Sequence, residues 1–169
     1  VAAGKRAAQV AGMKKLNLEL GSNDPLIIWD DADLEMSVSV AVQQGVGFCG
    51  QRCTGVKRVF VHGSLHDTFL SLVKKKLEGL TMGDPLDPAT DLGPMLSHQA
   101  AMDVDRKVDD AVMRGATPVL RGCRSGSMLP PILLSNVPLG SEIVQQETFG
   151  PVLPVMKVSY VDELVEMVN

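Results

Sequence analysis

The sequence predicts an open α/β fold, a mostly parallel sheet with helices on both faces. Short aliphatic runs such as Leu26-Ile27-Ile28-Trp29 and Val59-Phe60-Val61 are continuous rather than alternating, as in strands covered on both sides. They are interleaved with amphipathic stretches at helical spacing. The chain is 45% hydrophobic but only 4% aromatic, so its core must be packed from Val, Leu, Ile, Ala and Met. A length of 169 residues suits one domain, since domains cluster at about 100–150 residues.

Val1 to Ala11 reads as an Ala-rich helix stopped by Gly12. Lys15 to Leu20 reads as a short strand carrying Glu19 near its end, with a turn over Gly21-Ser22-Asn23-Asp24-Pro25 after it. Leu26 to Trp29 is a second strand, buried on both faces. Asp30-Asp31-Ala32-Asp33 opens a helix to Gly45, its carboxylates complementing the helix dipole and capping free N–H groups. Gly45, Gly47 and Gly50 break that helix on the way to Cys53.

Arg58 to His62 is a buried strand, and Ser64-x-x-Asp67 has the form of a capping box. The helix it opens sets Leu65, Phe69, Leu72, Val73 and Leu77 on one face. Thr81 to Pro94, punctuated by Asp84-Pro85, Asp87-Pro88 and Gly93-Pro94, is a long surface connection. Ser97 to Arg114 is amphipathic, with Val104, Val108, Ala111 and Val112 as its apolar stripe. Val119-Leu120, Ile132 to Leu134 and Val152 to Val158 are strands. Glu142 to Gln146 is a helical turn, and Val161 to Val168 is the last helix.

Twenty acidic against sixteen basic residues give a net charge of −4. That balance presents no polycationic face, so neither nucleic acid nor a membrane surface is expected as a partner. No apolar run approaches the ~18–20 residues that span a bilayer. Three cysteines, an odd number, fit a reducing compartment and a cytoplasmic location better than a disulfide framework. The chain opens on Val1 and stops at Asn169 within a predicted helix, and reads as a piece of a longer protein.

Two side chains carry candidate chemistry. Cys53, in Gly50-Gln51-Arg52-Cys53-Thr54, supplies a thiol, which is an intrinsically strong nucleophile and already a few per cent thiolate at neutral pH. Glu19, in Leu18-Glu19-Leu20-Gly21-Ser22, supplies a carboxylate able to take a proton from water. Cys49-x-x-x-Cys53 with His62 and His66 lacks the tighter paired spacings of structural zinc, and no metal centre is expected. His62, His66 and His98 read as satisfied surface histidines.

Leu18-Glu19-Leu20-Gly21, Asp31-Ala32-Asp33-Leu34 and Gly50-Gln51-Arg52-Cys53-Thr54 resemble successive segments of the NAD(P)-dependent aldehyde dehydrogenase superfamily. Gly83 to Pro94 and Glu147-Thr148-Phe149-Gly150-Pro151-Val152 match two more, in the family's order. The resemblance implies an incomplete catalytic domain of that family. Residues 1–20 would then be the end of the cofactor-domain helix and the strand carrying the base, and residues 21–169 a partial catalytic domain. It implies oxidation of an aldehyde to a carboxylic acid with NAD or NADP, through a thiohemiacetal and then a thioester on Cys53. Glu19 matches the base for thioester hydrolysis. Glu147 matches the carboxylate that binds the nicotinamide ribose, Phe149 the ring packed near the nicotinamide, and the Leu20 backbone a contact to the nicotinamide amide. The Cys53 backbone N–H would form half of an oxyanion hole.

Arg52 and its neighbours are similar to the lactaldehyde, phosphonoacetaldehyde and non-phosphorylating glyceraldehyde-3-phosphate branches. A guanidinium beside the thiol suits a small anionic or hydroxylated aldehyde. The resemblance further implies a homo-oligomeric parent. The chain departs from the family at Phe48-Cys49, where Asn and a small residue are common, and at Ser22, where a second Gly is usual. In the family a preceding Rossmann-type domain binds most of the dinucleotide, so this chain alone is expected to bind NAD(P) poorly and turn over little or nothing. The alternatives are a non-catalytic remnant retaining fold and interface surface, and a cofactor-independent thiol esterase using Cys53 and Glu19.

Overall fold

In the computed structural model, which describes residues 1–169, five strands form one sheet. They are β1 (Pro25–Ile28), β2 (Arg58–His62), β3 (Thr117–Leu120), β4 (Ile132–Ser135) and β5 (Val152–Val158), in the order β1-β2-β5-β4-β3. The pairs β1–β2, β2–β5 and β5–β4 are parallel, and only β3 runs antiparallel, against β4. The helices are α1 (Ala2–Val10), α2 (Leu34–Gly45), α3 (His66–Glu78), α4 (His98–Met113), α5 (Glu142–Gln145) and α6 (Val161–Val168). No helix is long and apolar enough to cross a membrane.

Alternation along the central strands divides the interior into two cores. Val59 and Val61 of β2 and Leu153 and Val155 of β5 pack with Val38, Ala41, Phe69, Val73 and Leu77 of α2 and α3. Phe60, Val152 and Met156 face the other way, onto Ala101, Val104, Val108 and Ala111 of α4 and Leu164 of α6. Both faces of the inner strands are therefore dry, which is why they read as continuous apolar runs. β1 is an edge strand, and there the expectation of two buried faces fails: Ile28 is buried but Ile27 is 46% exposed.

Local capping sets several helix starts. The Asp33 side chain accepts from the Met36 N–H at 2.9 Å, and Ser97 Oγ accepts from the Ala100 N–H at 3.1 Å. The expected capping box at Ser64-x-x-Asp67 does not form. Ser64 Oγ instead bonds His62 Nδ1 at 2.8 Å, and Asp67 bonds His66 Nδ1 at 2.8 Å. The apolar stripe of α3 is also rotated from the one expected. His66, Phe69, Leu70, Val73 and Leu77 are buried, whereas Leu72 lies at the stripe's edge and is exposed. His66 is thus a core residue rather than a surface one, hydrogen-bonded through Nε2 to Ser135 Oγ at 3.3 Å.

Lys15 to Leu20, expected as a strand, is irregular and exposed. A strand needs a ladder partner for its N–H and C=O groups, and these residues make no backbone hydrogen bonds within the chain.

Candidate active site

Three loops lead into the amino ends of adjacent parallel strands. Residues 21–24 precede β1, residues 50–57 precede β2, and residues 147–151 precede β5. Because β1, β2 and β5 are neighbours in that order, the loops converge on one edge of the sheet.

The Cys53 loop begins where α2 ends. A short 3-10 turn over Gly47–Gly50 carries left-handed backbone at Phe48 (φ 54), Cys49 (φ 56) and Gly50 (φ 66). This reverses the chain and presents Cys53 to solvent. The Cys53 backbone N–H makes no hydrogen bond within the chain, as an oxyanion donor requires. The Ser22 hydroxyl donates to the Cys53 carbonyl, tying the segment after Glu19 to the thiol loop. Cys49 is buried with its Sγ against the Gly93 carbonyl at 3.1 Å, and burial pushes its pKa up.

Glu19 is exposed, and its side chain makes no hydrogen bond or ion pair within the chain. The side chain of Leu20 packs on α1, where a Cβ at Gly4 would come within 2.8 Å of Leu20 Cδ2. Its backbone N–H and carbonyl make no hydrogen bonds within the chain. Arg52 turns back along the end of α2. Its Nη2 donates to the Gln43 carbonyl at 3.0 Å and to Gln44 Oε1 at 2.9 Å, while the guanidinium stacks on Phe48 at 5.3 Å. Of the sequence-predicted residues, the structure gathers the Cys53 loop, Glu147 and Phe149, with the segment after Glu19 joined through Gly21 and Ser22.

Sequence reasoning did not single out Lys57. It is only 4% exposed, donates to the Gly50 carbonyl at 3.0 Å and lies 4.9 Å from the centre of the Phe149 ring. Burial lowers its pKa, and the charges of Glu147, Asp24 and Cys53 oppose that shift. The available signal was Val56-Lys57-Arg58, two cations where a buried strand begins. Lys107 of α4 also went unread. Its Nζ donates to the Glu147 carbonyl at 2.7 Å and lines a hollow of about 440 Å³ with Asp103, Glu147, Thr148 and Phe149.

Four buried side-chain polar atoms have no hydrogen-bond partner: Asn23 Oδ1, Arg52 Nε, Glu147 Oε1 and Thr148 Oγ1. All four belong to the three converging loops. Buried polar groups are normally paired, and an orphan costs about 1–3 kcal/mol, so their concentration at one edge marks a place built for a ligand. The orphan Glu147 oxygen is an acceptor suited to a sugar hydroxyl, and the half-exposed Phe149 ring offers an aromatic face. These residues fit the ribose and nicotinamide of a dinucleotide.

One other arrangement resembles a catalytic triad, Ser135–His66–Asp67. There the hydroxyl is 3% exposed inside β4 while the carboxylate faces solvent, so no substrate reaches the nucleophile. No group of three or more His, Cys, Asp or Glu side chains is placed to hold a metal ion.

The sequence matches the aldehyde dehydrogenase family over residues 1–169. The chain belongs to that family. It is 39% identical over 168 residues to the sulfoacetaldehyde dehydrogenase of Neptuniibacter caesariensis, covering 99% of this chain and 37% of that protein. To the 3-sulfolactaldehyde dehydrogenase of Priestia aryabhattai it is 38% identical over 159 residues, covering 94% of this chain and 33% of that protein. The structure superposes on the glyceraldehyde-3-phosphate dehydrogenase GapN of Methanocaldococcus jannaschii, solved with NADP, with a TM-score of 0.95. That match is at 32% identity and covers 99% of this chain and 36% of the other. This aldehyde dehydrogenase chain spans about a third of the length of the curated relatives it matches.

Proposed function

We propose that this chain supplies the thiol half of an aldehyde dehydrogenase site, in a protein that oxidises a small anionic aldehyde to its carboxylic acid with NAD or NADP. The observation that carries the reading is the convergence of an exposed thiol, an aromatic ring and an orphaned buried carboxylate oxygen on one edge of the sheet. Cys53 Sγ adds to the carbonyl carbon, and its own N–H steadies the oxygen as it becomes an oxyanion. Glu147 and Phe149 bind and orient the dinucleotide, which when bound supplies the hydride acceptor. The Leu20 backbone borders the same place. Glu19, held near the thiol loop by the Ser22 contact, takes the proton of the water that hydrolyses the thioester.

The Arg52 guanidinium, expected beside the thiol, is drawn back onto the end of α2 by Gln43 and Gln44, so the support for an anionic substrate comes from the relatives. The relatives named above are called dehydrogenases of a sulfonated or phosphorylated aldehyde. Three free thiols suit a reducing compartment such as the cytoplasm.

The test is acid quenching of the protein carrying this chain during turnover of sulfoacetaldehyde with NAD(P), followed by peptide mass spectrometry. An acyl adduct is expected on the Cys53 peptide. Cys53→Ser should lose both the adduct and NAD(P)H formation, while Glu19→Gln should accumulate the adduct. NAD(P)H production by Cys53→Ser at the wild-type rate would refute the assignment. Benzaldehyde, which is neutral, should show kcat/KM lower by about tenfold or more.

A further inference from the structure

We propose that Lys57 is a positioning residue of the Cys53 site. Its buried ammonium, anchored on the Gly50 carbonyl and laid against the Phe149 ring, clamps the thiol loop to the 147–149 segment and sets a positive charge at the base of that loop. This rests on the reading of Cys53 as the nucleophile and extends it to a residue with no part in binding or bond making.

The geometry supports a designed placement. Lys57 is buried to 4% exposure, a rare position for lysine, which is almost never enclosed without partners. Its backbone is fixed by its own N–H, which donates to the Asp24 carbonyl at 2.9 Å, so the loop before β1 holds the stem. Gly55 lets the loop close on α2: a Cβ there would come within 2.8 Å of the Gln44 carbonyl. The head group then spans two loops, with Gly50 on the thiol side and Phe149 on the cofactor side. The charges of Glu147 and Cys53 both act on it. Lys57 makes no direct ion pair with any carboxylate, so its charge is not cancelled by a single contact. A buried, uncancelled cation in the thiol loop attracts anions to it.

Alkylation tests this on the chain itself, with iodoacetate as the anionic probe and iodoacetamide as the neutral one. Cys123, exposed on the loop between β3 and β4, serves as the internal reference, and Cys49 is buried. Labelling at each cysteine is read by peptide mass spectrometry. In Lys57→Met, the Cys53 to Cys123 rate ratio is expected to fall about three- to tenfold, and more with iodoacetate than with iodoacetamide. Lys57→Arg should restore most of it. Lys57→Gln keeps a donor for the Gly50 carbonyl without the charge, so it covers the case in which the Met variant does not fold.

A circular dichroism melt confirms that the compared variants are folded. Equal ratios for both probes in wild type and in a folded neutral variant would overturn the proposal. An equal loss with the two probes that Arg fails to restore would overturn it too, since that is a loosened loop without an electrostatic role. The outcome does not depend on whether Cys53 is the nucleophile, because Cys53→Ser decides that separately through adduct and NAD(P)H formation.

Discussion

Gly21 and Glu147 share one small volume: a Cβ built on Gly21 would stand inside the Glu147 carboxylate. The loop before β1 is therefore a wall of the pocket that holds this side chain, although Gly21 itself is exposed and far from Glu147 in sequence. Gly21→Ala should push the carboxylate out of place while leaving the fold intact. The expected result is a KM for NAD(P) raised about tenfold in the protein carrying this chain, with kcat less affected and stability within about 1 kcal/mol of wild type. Steady-state kinetics and a urea melt check both halves.

Gly50 has no such freedom. Its φ is +66, and a Cβ there would collide with the backbone carbonyl of Gly150, which no rotamer change relieves. Gly50→Ala combines left-handed strain with a backbone clash, and should cost about 2–4 kcal/mol of unfolding free energy. A lower urea midpoint with an unchanged m-value is the expected signature.

Phe48 is the converse case, a bulky residue with φ 54 and ψ 34 and 75% of its surface exposed. Asn tolerates the left-handed region far better than an aromatic residue. Phe48→Asn should gain about 1 kcal/mol in backbone preference and lose about 0.5 kcal/mol from the exposed Arg52 stacking. A small net rise in the urea midpoint is expected.

Acid sensitivity should arise at α4 and α5. The Asp110 carboxyl is held below its ordinary value by the Glu142 backbone N–H and by Arg114, and that of Glu142 by bidentate hydrogen bonds from Arg106. The folded values lie below the unfolded ones, so the unfolded chain binds more protons in acid. Their stabilisation is complete above the unfolded values, near pH 4, and is lost as pH falls through the folded values. Tm should therefore drop more steeply between about pH 5 and pH 3 in wild type than in an Asp110→Asn, Glu142→Gln double variant.

Much of the architecture was legible because its signals are local. Asp33 caps the helix that the acidic run was expected to open, and α6 spans the expected Val161–Val168. The failures share a cause. Lys15 to Leu20 has strand-like composition but no strand beside it, and Ser64-x-x-Asp67 gives its side chains to His62 and His66 instead of to the helix start. Composition states what a segment is able to do, while the available partners decide what it does.

The same division holds at the site. The sequence alone determined the α/β class, the run of elements and the family, and through the family strings it named Cys53, Glu19, Arg52, Leu20, Glu147 and Phe149. Only the tertiary structure decided that β5 lies against β2, setting the 147–149 loop beside the thiol loop and enclosing Lys57 between them. Periodicity and capping act over a few residues, whereas strand order is chosen by the burial of whole faces, and that choice assembles the site.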